Sequence, residues 1–292
     1  MPQPNNKRPK MGLKELPRDS RDFTLGKIVE LPALETLPKE FTLKPLSIKY
    51  QGGSDFCTSF SCCGASEMQE GVVLSPEWGF AVSKMISGHK DSYGQDLRSA
   101  MKAHTKYGAI KASETNHDLE HFTSKKLRDI KNYDPYLFDR AVEHKKKSYV
   151  SVDGRYDDFD NIRASIWKFR KEKRAVMSGA LWNWTMKKAI IPNMVTNRGV
   201  GHAFYFIGWK IINGTQMLVL VNSYGNWSGD NGLFYMPRKV VNAFARRFGS
   251  YMWLDLSPEE LKKEQWNLIQ KLLDRLNKLL LKLKQIIKNE RS

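Results

Sequence analysis

The hydrophobic pattern of the chain changes near Ala175, and this change limits the fold more than any other feature of the sequence. Before it, apolar residues recur at helical spacing, as Leu97, Met101 and His104 do. After it come short segments rich in β-branched and aromatic residues, with turn signals between them: AVMSGALW, HAFYFIGWKI, MLVLVNSYG and GLFYMPR. Asn213-Gly214 is a strong hairpin signal between two of these segments. A helical part followed by a β-rich part predicts an α+β protein with two lobes.

Capping residues mark where helices begin and end in the first part of the chain. A helix is predicted to start near Phe56 and to run to about Gly71. Its expected N-cap is Asp55 or Ser54, since both side chains can accept a hydrogen bond from an unpaired backbone N–H group. Ser75-Pro76 is a second helix start of the same kind.

Shifts in composition divide the 292 residues into three predicted parts. Residues 1–22 are polar, basic and interrupted by proline, and are expected to form a basic arm that is mobile unless it docks. Residues 23–256 form the predicted folded domain, and residues 257–292 a C-terminal amphipathic helix. The net charge of +17 favours acidic partners. No zinc-knuckle, RRM or helix-turn-helix signature accompanies this charge, so nucleic-acid binding is not expected.

The three cysteines, Cys57, Cys62 and Cys63, lie close together in the sequence. Cysteines this close on one helix cannot link distant loops, which indicates a reducing compartment. The N-terminal residues carry positive charge but lack the apolar segment of a secretory signal. No run of about 18 apolar residues occurs, so no transmembrane helix is expected. The predicted location is therefore cytoplasmic.

The stretch QGGSDFCTSF places Cys57 at the start of the predicted helix, six residues after Gln51. A thiol attacks only as the thiolate, and a helix N-terminus together with a neighbouring imidazole favours that form. The candidate imidazole is His202, which stands at the start of a strand in NRGVGHAFYFIGW. Asn222 ends the strand on the other side of the Asn-Gly hairpin, where it can hold one ring nitrogen. Together these residues form a Cys–His–Asn arrangement of the kind used in nucleophilic catalysis.

These motifs resemble those of the papain-like cysteine peptidases. His202 follows Cys57 by 145 residues, in line with the spacing of that family, and Asn222 follows it by 165. GHAFYFIGW and NSYGNWSGDNGLF are similar to the two family blocks around the histidine and the asparagine. The resemblance extends from about Pro17 to about Leu256 and includes bacterial and viral-type members without a long pro-segment.

The resemblance implies a two-lobed fold and a thiol endopeptidase that acts on peptides or proteins. Cys57 would be the nucleophile, His202 the general base and later the acid, and Asn222 the residue that orients the imidazole. Gln51 would donate to the oxyanion together with the backbone N–H of Cys57. The implied substrate cleft contains Gly94, Gly201, Tyr224 and Trp227.

The chain departs from the family pattern in four respects. Ser54 and Asp55 replace the usual cysteine ahead of the nucleophile, so its disulfide is absent. Thr58 stands where an aromatic residue is usual. Tyr224 replaces the tryptophan that covers the bond between asparagine and histidine, and Gly201 offers the substrate no side chain. These changes leave the reaction type intact and leave specificity open.

The remaining histidines, cysteines and tryptophans have simpler interpretations. His117 and His121 have the spacing of metal ligands, but no third ligand is evident, so neither a metal nor another cofactor is expected. Cys62 and Cys63 are interpreted as small core residues. Trp182, Trp184 and Trp209 are interpreted as core or cleft wall.

The C-terminal segment has apolar residues at alternating intervals of three and four: Ile269, Leu272, Leu276, Leu279, Leu283 and Ile286. This is a heptad seam typical of a coiled coil, and a stripe of this kind must be covered. It could pack on the body, form a bundle with other copies or a partner protein, or lie on an anionic membrane. Protein docking is favoured over the membrane surface. A helix that docks on another protein suits an enzyme that is part of a larger assembly, for example a virus particle. A virus particle is therefore the second predicted location.

Two other functions remain compatible with the sequence. One is an assembly or tethering protein on a papain-like scaffold, docked through the C-terminal helix. The other is a different cysteine-dependent acyl transfer, by an amidase or a transglutaminase-like enzyme, because the same triad serves both reactions.

Overall fold

The computed structural model describes residues 11–15, 19–89, 91–115, 126–183 and 188–290. The described part therefore leaves out positions 1–10, Pro17, His117, His121 and Trp184, so the interpretations of those residues stay predictions.

Within these ranges the chain forms α-helices in both halves and strands mainly in the second. The α-helices are α1 (Cys57–Glu70), α2 (Pro76–Ser87), α3 (Leu97–Lys106), α4 (Leu137–Ala141), α5 (Asp158–Lys168), α6 (Arg238–Phe248) and α7 (Pro258–Glu290). The strands are β1 (Phe41–Thr42), β2 (Ser148–Ser151), β3 (Val176–Trp182), β4 (Val200–Ile212), β5 (Thr215–Val221), β6 (Leu233–Pro237) and β7 (Ser250–Leu254). The predicted α+β class and the C-terminal helix are confirmed.

The strands form one sheet in the order β2-β7-β3-β4-β5-β6, and β1 pairs with β4. Each of these pairings is antiparallel. β4 and β5 are joined by the predicted hairpin turn, in which Asn213 (φ 49°) and Gly214 (φ 73°) both have left-handed backbone conformation. The hairpin places the start of β4 next to the end of β5, where the two candidate residues His202 and Asn222 lie.

Two apolar cores lie on either side of α1. One is built around the sheet, and the other is an aromatic core of the helical lobe in which Phe56 and Phe80 stack with ring centroids 4.0 Å apart. α1 is buried along almost its whole length. Ser61 Oγ donates to the Phe204 carbonyl of β4 at 2.7 Å, which ties α1 to the sheet. Gly64 makes this approach possible, because a Cβ atom there would lie 2.4 Å from the Tyr205 ring. α1 is thus fixed between the lobes with Cys57 at its first position.

The predicted caps of two helices have different outcomes. The Ser75 side chain accepts the N–H of Trp78 at 3.3 Å at the start of α2, as expected. For α1 the predicted N-cap is wrong, since Phe56 occupies that position without a side-chain hydrogen bond. The Asp55 carboxylate is engaged by Arg128 and the backbone of Gly94 instead. Contacts with distant residues therefore override the local capping preference.

The contacts of α7 with the body lie between Leu261 and Arg275 in the described residues. Leu261 is fully buried, whereas every large apolar residue from Ile269 to Ile287 is more than 40% exposed. Arg275 contacts the body through Glu30 at 2.8 Å. The predicted heptad seam therefore faces solvent in the described chain. Among the described residues, no helix combines the length and apolar character needed to cross a bilayer.

Candidate active site

Cys57 lies at the first position of α1 and is completely buried. Burial raises the pKa of its thiol to about 11, although the nearby backbone N–H groups of Ala203, Gly12 and Thr58 act in the opposite direction. Ala203 directly follows His202 in β4. The sulfur is therefore bordered by the strand that carries the candidate imidazole.

The His202 ring is held by Asn222 through a hydrogen bond of 2.7 Å between Nε2 and Oδ1. The backbone N–H of Ser223 donates to the same Oδ1 at 2.7 Å, which fixes the orientation of the amide. Since Oδ1 can only accept, Nε2 must carry the proton, and Nδ1 then holds the lone pair of the neutral ring. Nδ1 is buried and has no hydrogen-bond partner among the described residues. This is the protonation pattern that a general base requires.

Aromatic rings enclose the imidazole. Tyr224 stacks on His202 with ring centroids 4.8 Å apart, and Trp182 contacts it edge-on at 5.4 Å. Burial lowers the pKa of His202 to about 4, although the bond to Asn222 acts to raise it. In this state the thiol and the imidazole are both uncharged at neutral pH. Trp182 therefore belongs to the wall of the site.

Gln51 is fully buried between the start of α1 and the segment after β5. The Ser223 hydroxyl donates to its Oε1 at 2.5 Å, and its Nε2 donates to the Ser54 carbonyl at 2.8 Å. The side-chain amide thus has a fixed orientation, and Ser223 connects it to the hydrogen-bonded pair of His202 and Asn222. The predicted donation to an oxyanion stays a prediction.

Residues 11–15, called the N-terminal segment below, lie in the cleft between the lobes. The N–H of Leu13 donates to the Gly201 carbonyl at 2.8 Å. On the other side, the N–H of Gln95 donates to the Gly12 carbonyl at 2.7 Å, and the N–H of Lys14 to the Gln95 carbonyl at 3.0 Å. The arm expected to be mobile unless docked is therefore docked at these residues.

Glycines on both sides allow the N-terminal segment to approach this closely. A Cβ atom on Gly12 would lie 2.5 Å from the Asp55 carbonyl oxygen and 2.8 Å from the Gly94 Cα atom. A Cβ atom on Gly201 would lie 2.1 Å from the Leu13 carbonyl oxygen. Two predicted cleft residues, Gly94 and Gly201, thus contact the N-terminal segment directly.

Trp227 lies at the rim, where it is about half exposed and packs against Tyr50 with ring centroids 4.8 Å apart. Sequence reasoning missed the docked segment. Its signal was the apolar triplet of residues 11–13 inside an otherwise polar arm.

A family model for papain family cysteine proteases matches residues 40–248, which is more than half of the chain. The chain belongs to the papain family of cysteine proteases. The match covers both lobes and the residues Cys57, His202 and Asn222, so this papain-family chain is a cysteine peptidase by family.

Solved structures with the same fold share little sequence with this papain-family chain. Xylellain, a cysteine protease from Xylella fastidiosa, has a TM-score of 0.67 and 19% identity, with 85% of this chain and 97% of that chain covered. Digestive procathepsin L 3 of Tenebrio molitor larval midgut has a TM-score of 0.56 and 16% identity, with 80% and 75% covered. Bromelain from Ananas comosus, in complex with the E64 inhibitor, has a TM-score of 0.54 and 15% identity, with 74% and 99% covered. At these identities the likeness shows the fold, and a search of curated proteins found no match.

Proposed function

We propose that this papain-family chain hydrolyses internal peptide bonds of proteins, with Cys57 as the nucleophile. The observation that carries the proposal is the bond from His202 Nε2 to Asn222 Oδ1, because it assigns the proton to Nε2 and leaves Nδ1 with a lone pair that can accept the thiol proton. His202 then removes the thiol proton, and Asn222 holds the ring in the required tautomer.

The reaction proceeds in two halves. The Cys57 thiolate attacks the peptide carbonyl carbon, and the imidazolium returns its proton to the leaving amine, so that a thioester remains. His202 then takes a proton from water, the resulting hydroxide attacks the thioester, and the carboxylic acid and the thiol are released. The negative oxygen of each intermediate is assigned to the Cys57 backbone N–H and to Gln51, which the Ser223 hydroxyl fixes in place.

The described state is proposed to be latent. Substrate and the N-terminal segment require the same space, since Gln95 and Gly201 already pair with the segment backbone. Residues 11–15 must therefore leave the cleft before a peptide can bind. We infer that release of the segment would let water reach the thiol and the imidazole.

Labelling and cleavage in parallel test the proposed chemistry. Iodoacetamide should label the active chain at Cys57, and Cys57→Ala should abolish both labelling at this site and cleavage of a peptide library. The matched control is Cys63→Ala, which alters another buried cysteine and should leave cleavage intact. Loss of cleavage in both variants, or in neither, contradicts the assignment. A product in which an added amine, rather than water, accepts the acyl group would favour the acyl-transferase alternative.

The second proposal concerns α7, whose exposed apolar stripe consists of Trp266, Ile269, Leu272, Leu273, Leu276, Leu279, Leu280, Leu283, Ile286 and Ile287. We infer that this stripe is covered by α7 of other copies of the chain. The regular alternation of three and four residues matches knobs-into-holes packing between helices. Burial of about ten half-exposed side chains contributes on the order of 10 kcal/mol of apolar transfer free energy, which favours association.

Salt distinguishes a second copy from other occupants of the stripe. Basic residues flank it, among them Arg275, Lys282 and Lys284, so copies repel one another at low ionic strength. Self-association should therefore strengthen between about 0.05 M and 0.5 M salt, as measured by sedimentation equilibrium of the full chain. Leu276→Gln/Leu283→Gln should give monomers, whereas Lys278→Gln should still associate. A monomer at all salt concentrations rules out this proposal, and binding to anionic vesicles that weakens with salt would assign the stripe to a membrane.

A further inference from the structure

We propose that Asp55 is a positioning residue, which holds the cleft loop (residues 92–95) in place through a buried cluster of charges with Arg128 and Lys84. Asp55 is completely buried, and a carboxylate is almost never fully buried unless it has a charged partner. Arg128 Nη2 donates to its Oδ1 at 2.8 Å, and its Oδ2 accepts the backbone N–H of Gly94. One carboxylate thus connects the segment before α1 to two other parts of the chain.

Lys84 holds the same loop from the other side. It lies on α2 and is completely buried, and its Nζ donates to the Ser92 carbonyl at 2.6 Å and also to the Gly94 carbonyl. Arg128 adds a longer bond to the Ser92 carbonyl at 3.4 Å. Three charged side chains from three segments therefore converge on the backbone of the cleft loop.

The position of the cleft loop decides whether a peptide can bind. Gln95 is the loop residue whose N–H and carbonyl pair with Gly12 and Lys14 of the N-terminal segment. Its side chain is fixed separately, by bonds from Nε2 to the Ser83 carbonyl at 3.1 Å and to Ser87 Oγ at 3.0 Å. The same backbone groups are available to a substrate once the segment leaves, and in this respect the inference rests on the proposed peptidase function.

The charge cluster holds the cleft loop in place without a covalent bond. Cys57, Cys62 and Cys63 are all free thiols, and they are the only cysteines of the chain. The carboxylate at position 55 links the start of α1 to the cleft loop by the hydrogen bond from the Gly94 N–H, and its charge is balanced by Arg128. This arrangement is insensitive to reductant, and it depends on both charges being present, because a buried charge without its partner is strongly unfavourable.

Hydrogen exchange in the full chain tests the inference without requiring activity. Asp55→Asn keeps the size of the side chain but removes its charge, and should speed amide exchange at residues 12–14 and 94–95 at least tenfold. Exchange in the β4–β5 hairpin should not change. The matched control is Asp160→Asn, which breaks a similarly buried ion pair with Arg163 on α5 and should leave exchange in the cleft loop unchanged.

A second variant separates local loosening from misfolding. Asp55→Asn/Arg128→Gln removes both charges of the ion pair, and should recover part of the protection that Asp55→Asn loses, because Arg128 is no longer left without its buried partner. Lys84→Met removes the hydrogen-bond donors on the other side of the loop and should also speed amide exchange at residues 94–95. This variant replaces Asp55→Asn as the test if Asp55→Asn does not fold. Unchanged exchange at 94–95 in folded Asp55→Asn, or in folded Lys84→Met, overturns the inference.

Kinetics supply an independent reading in chains that cleave peptides. Asp55 does not touch the reacting atoms, so Asp55→Asn should raise KM about tenfold or more while kcat changes less than threefold. A fall in kcat at constant KM would assign Asp55 to the chemistry instead and would contradict a positioning role. If the unmodified chain cleaves no peptide, the proposed function is refuted. The exchange result for the cleft loop would remain valid in that case.

Discussion

The N-terminus of α1 and the exposed face of α7 are both surfaces that need a cover, and the chain covers only one of them. At α1, residues 11–15 close the cleft over Cys57 and leave it completely buried. At α7, side chains such as Leu276 and Leu283 are more than half exposed. The comparison shows that a strong sequence pattern does not guarantee internal packing. The heptad seam was easy to read and is left uncovered, whereas the docking of residues 11–13 left almost no trace in the sequence.

The largest expected effect comes from removing the cover at α1. Gly12→Val places side-chain atoms against the Asp55 carbonyl and Gly94, so the N-terminal segment should leave the cleft. If the pKa of Cys57 then falls from about 11 to an ordinary value near 8.5, the thiolate fraction at pH 7 rises roughly 300-fold. Iodoacetamide labelling of Cys57 should accelerate accordingly. The control is Leu46→Asp, an exposed position, and an unchanged rate in Gly12→Val would show that the segment does not protect the thiol.

A somewhat smaller effect is expected from pH. Burial lowers the pKa of His202 from 6.5 to about 4, so the closed state binds fewer protons than the open state between these values. Closure is therefore favoured above pH 6.5 and weakens as the pH falls toward 4, by up to about tenfold per pH unit. Protection factors of residues 12–14 in hydrogen exchange, corrected for intrinsic rates, measure this directly. His202→Gln should remove most of the dependence, and equal protection at pH 4.5 and pH 7 in the unmodified chain would disprove it.

The raised pKa of Cys57 predicts a second limit at high pH. The closed state keeps the thiol protonated, so closure weakens as the pH rises from about 9 toward 11. The N-terminal segment should be held most firmly between these two limits, near neutral pH. Cys57→Ala should remove the loss at high pH and leave the loss at low pH in place.

A moderate effect is expected within α1 itself. Gly64→Ala forces a Cβ atom to within 2.4 Å of the Tyr205 ring, and overpacking of this kind costs about 1–3 kcal/mol of the free energy of unfolding. Urea denaturation followed by tryptophan fluorescence should show this loss. Gly71→Ala offers a comparison, because nothing lies near its Cβ position and only its left-handed φ of 73° is strained.

The smallest effect on stability should come from α7. Leu279→Gln changes a side chain that is 58% exposed, so the free energy of unfolding of the dilute monomer should change by less than about 0.5 kcal/mol. The same substitution should weaken self-association measurably at high salt. A large loss of monomer stability would mean that the stripe packs on the body after all, and the contrast with α1 would disappear.

The sequence predicted most of the fold because its signals are local. The hairpin at Asn213-Gly214 and the Ser75-Pro76 helix start depend on backbone geometry that neighbouring residues set, and both are confirmed. Strand β7 and helix α6 were not predicted, although residues 238–254 contain both. Strand β7 is short and buried throughout, so it shows no alternation between inward and outward residues.

The residues of the candidate site that belong to a sequence motif could be predicted. Those that are brought together only by tertiary contacts could not. Cys57, His202 and Asn222 were chosen from their motifs and spacing, and the fold brings His202 within hydrogen-bond distance of Asn222. Asp55 was expected to cap α1, but its true partner Arg128 lies 73 residues away. No local pattern relates two such positions, so the charge cluster could be found only in three dimensions.

The glycine contacts of the cleft have a consequence for inhibitor design. Gly12 meets Gly94 and the Asp55 carbonyl through backbone atoms alone, with no room for a methyl group on either side. A peptide mimic of residues 11–15 would therefore have to keep glycine at its second position. The exposed side chains of Lys14 and Glu15 mark the positions at which such a mimic remains open to chemical variation.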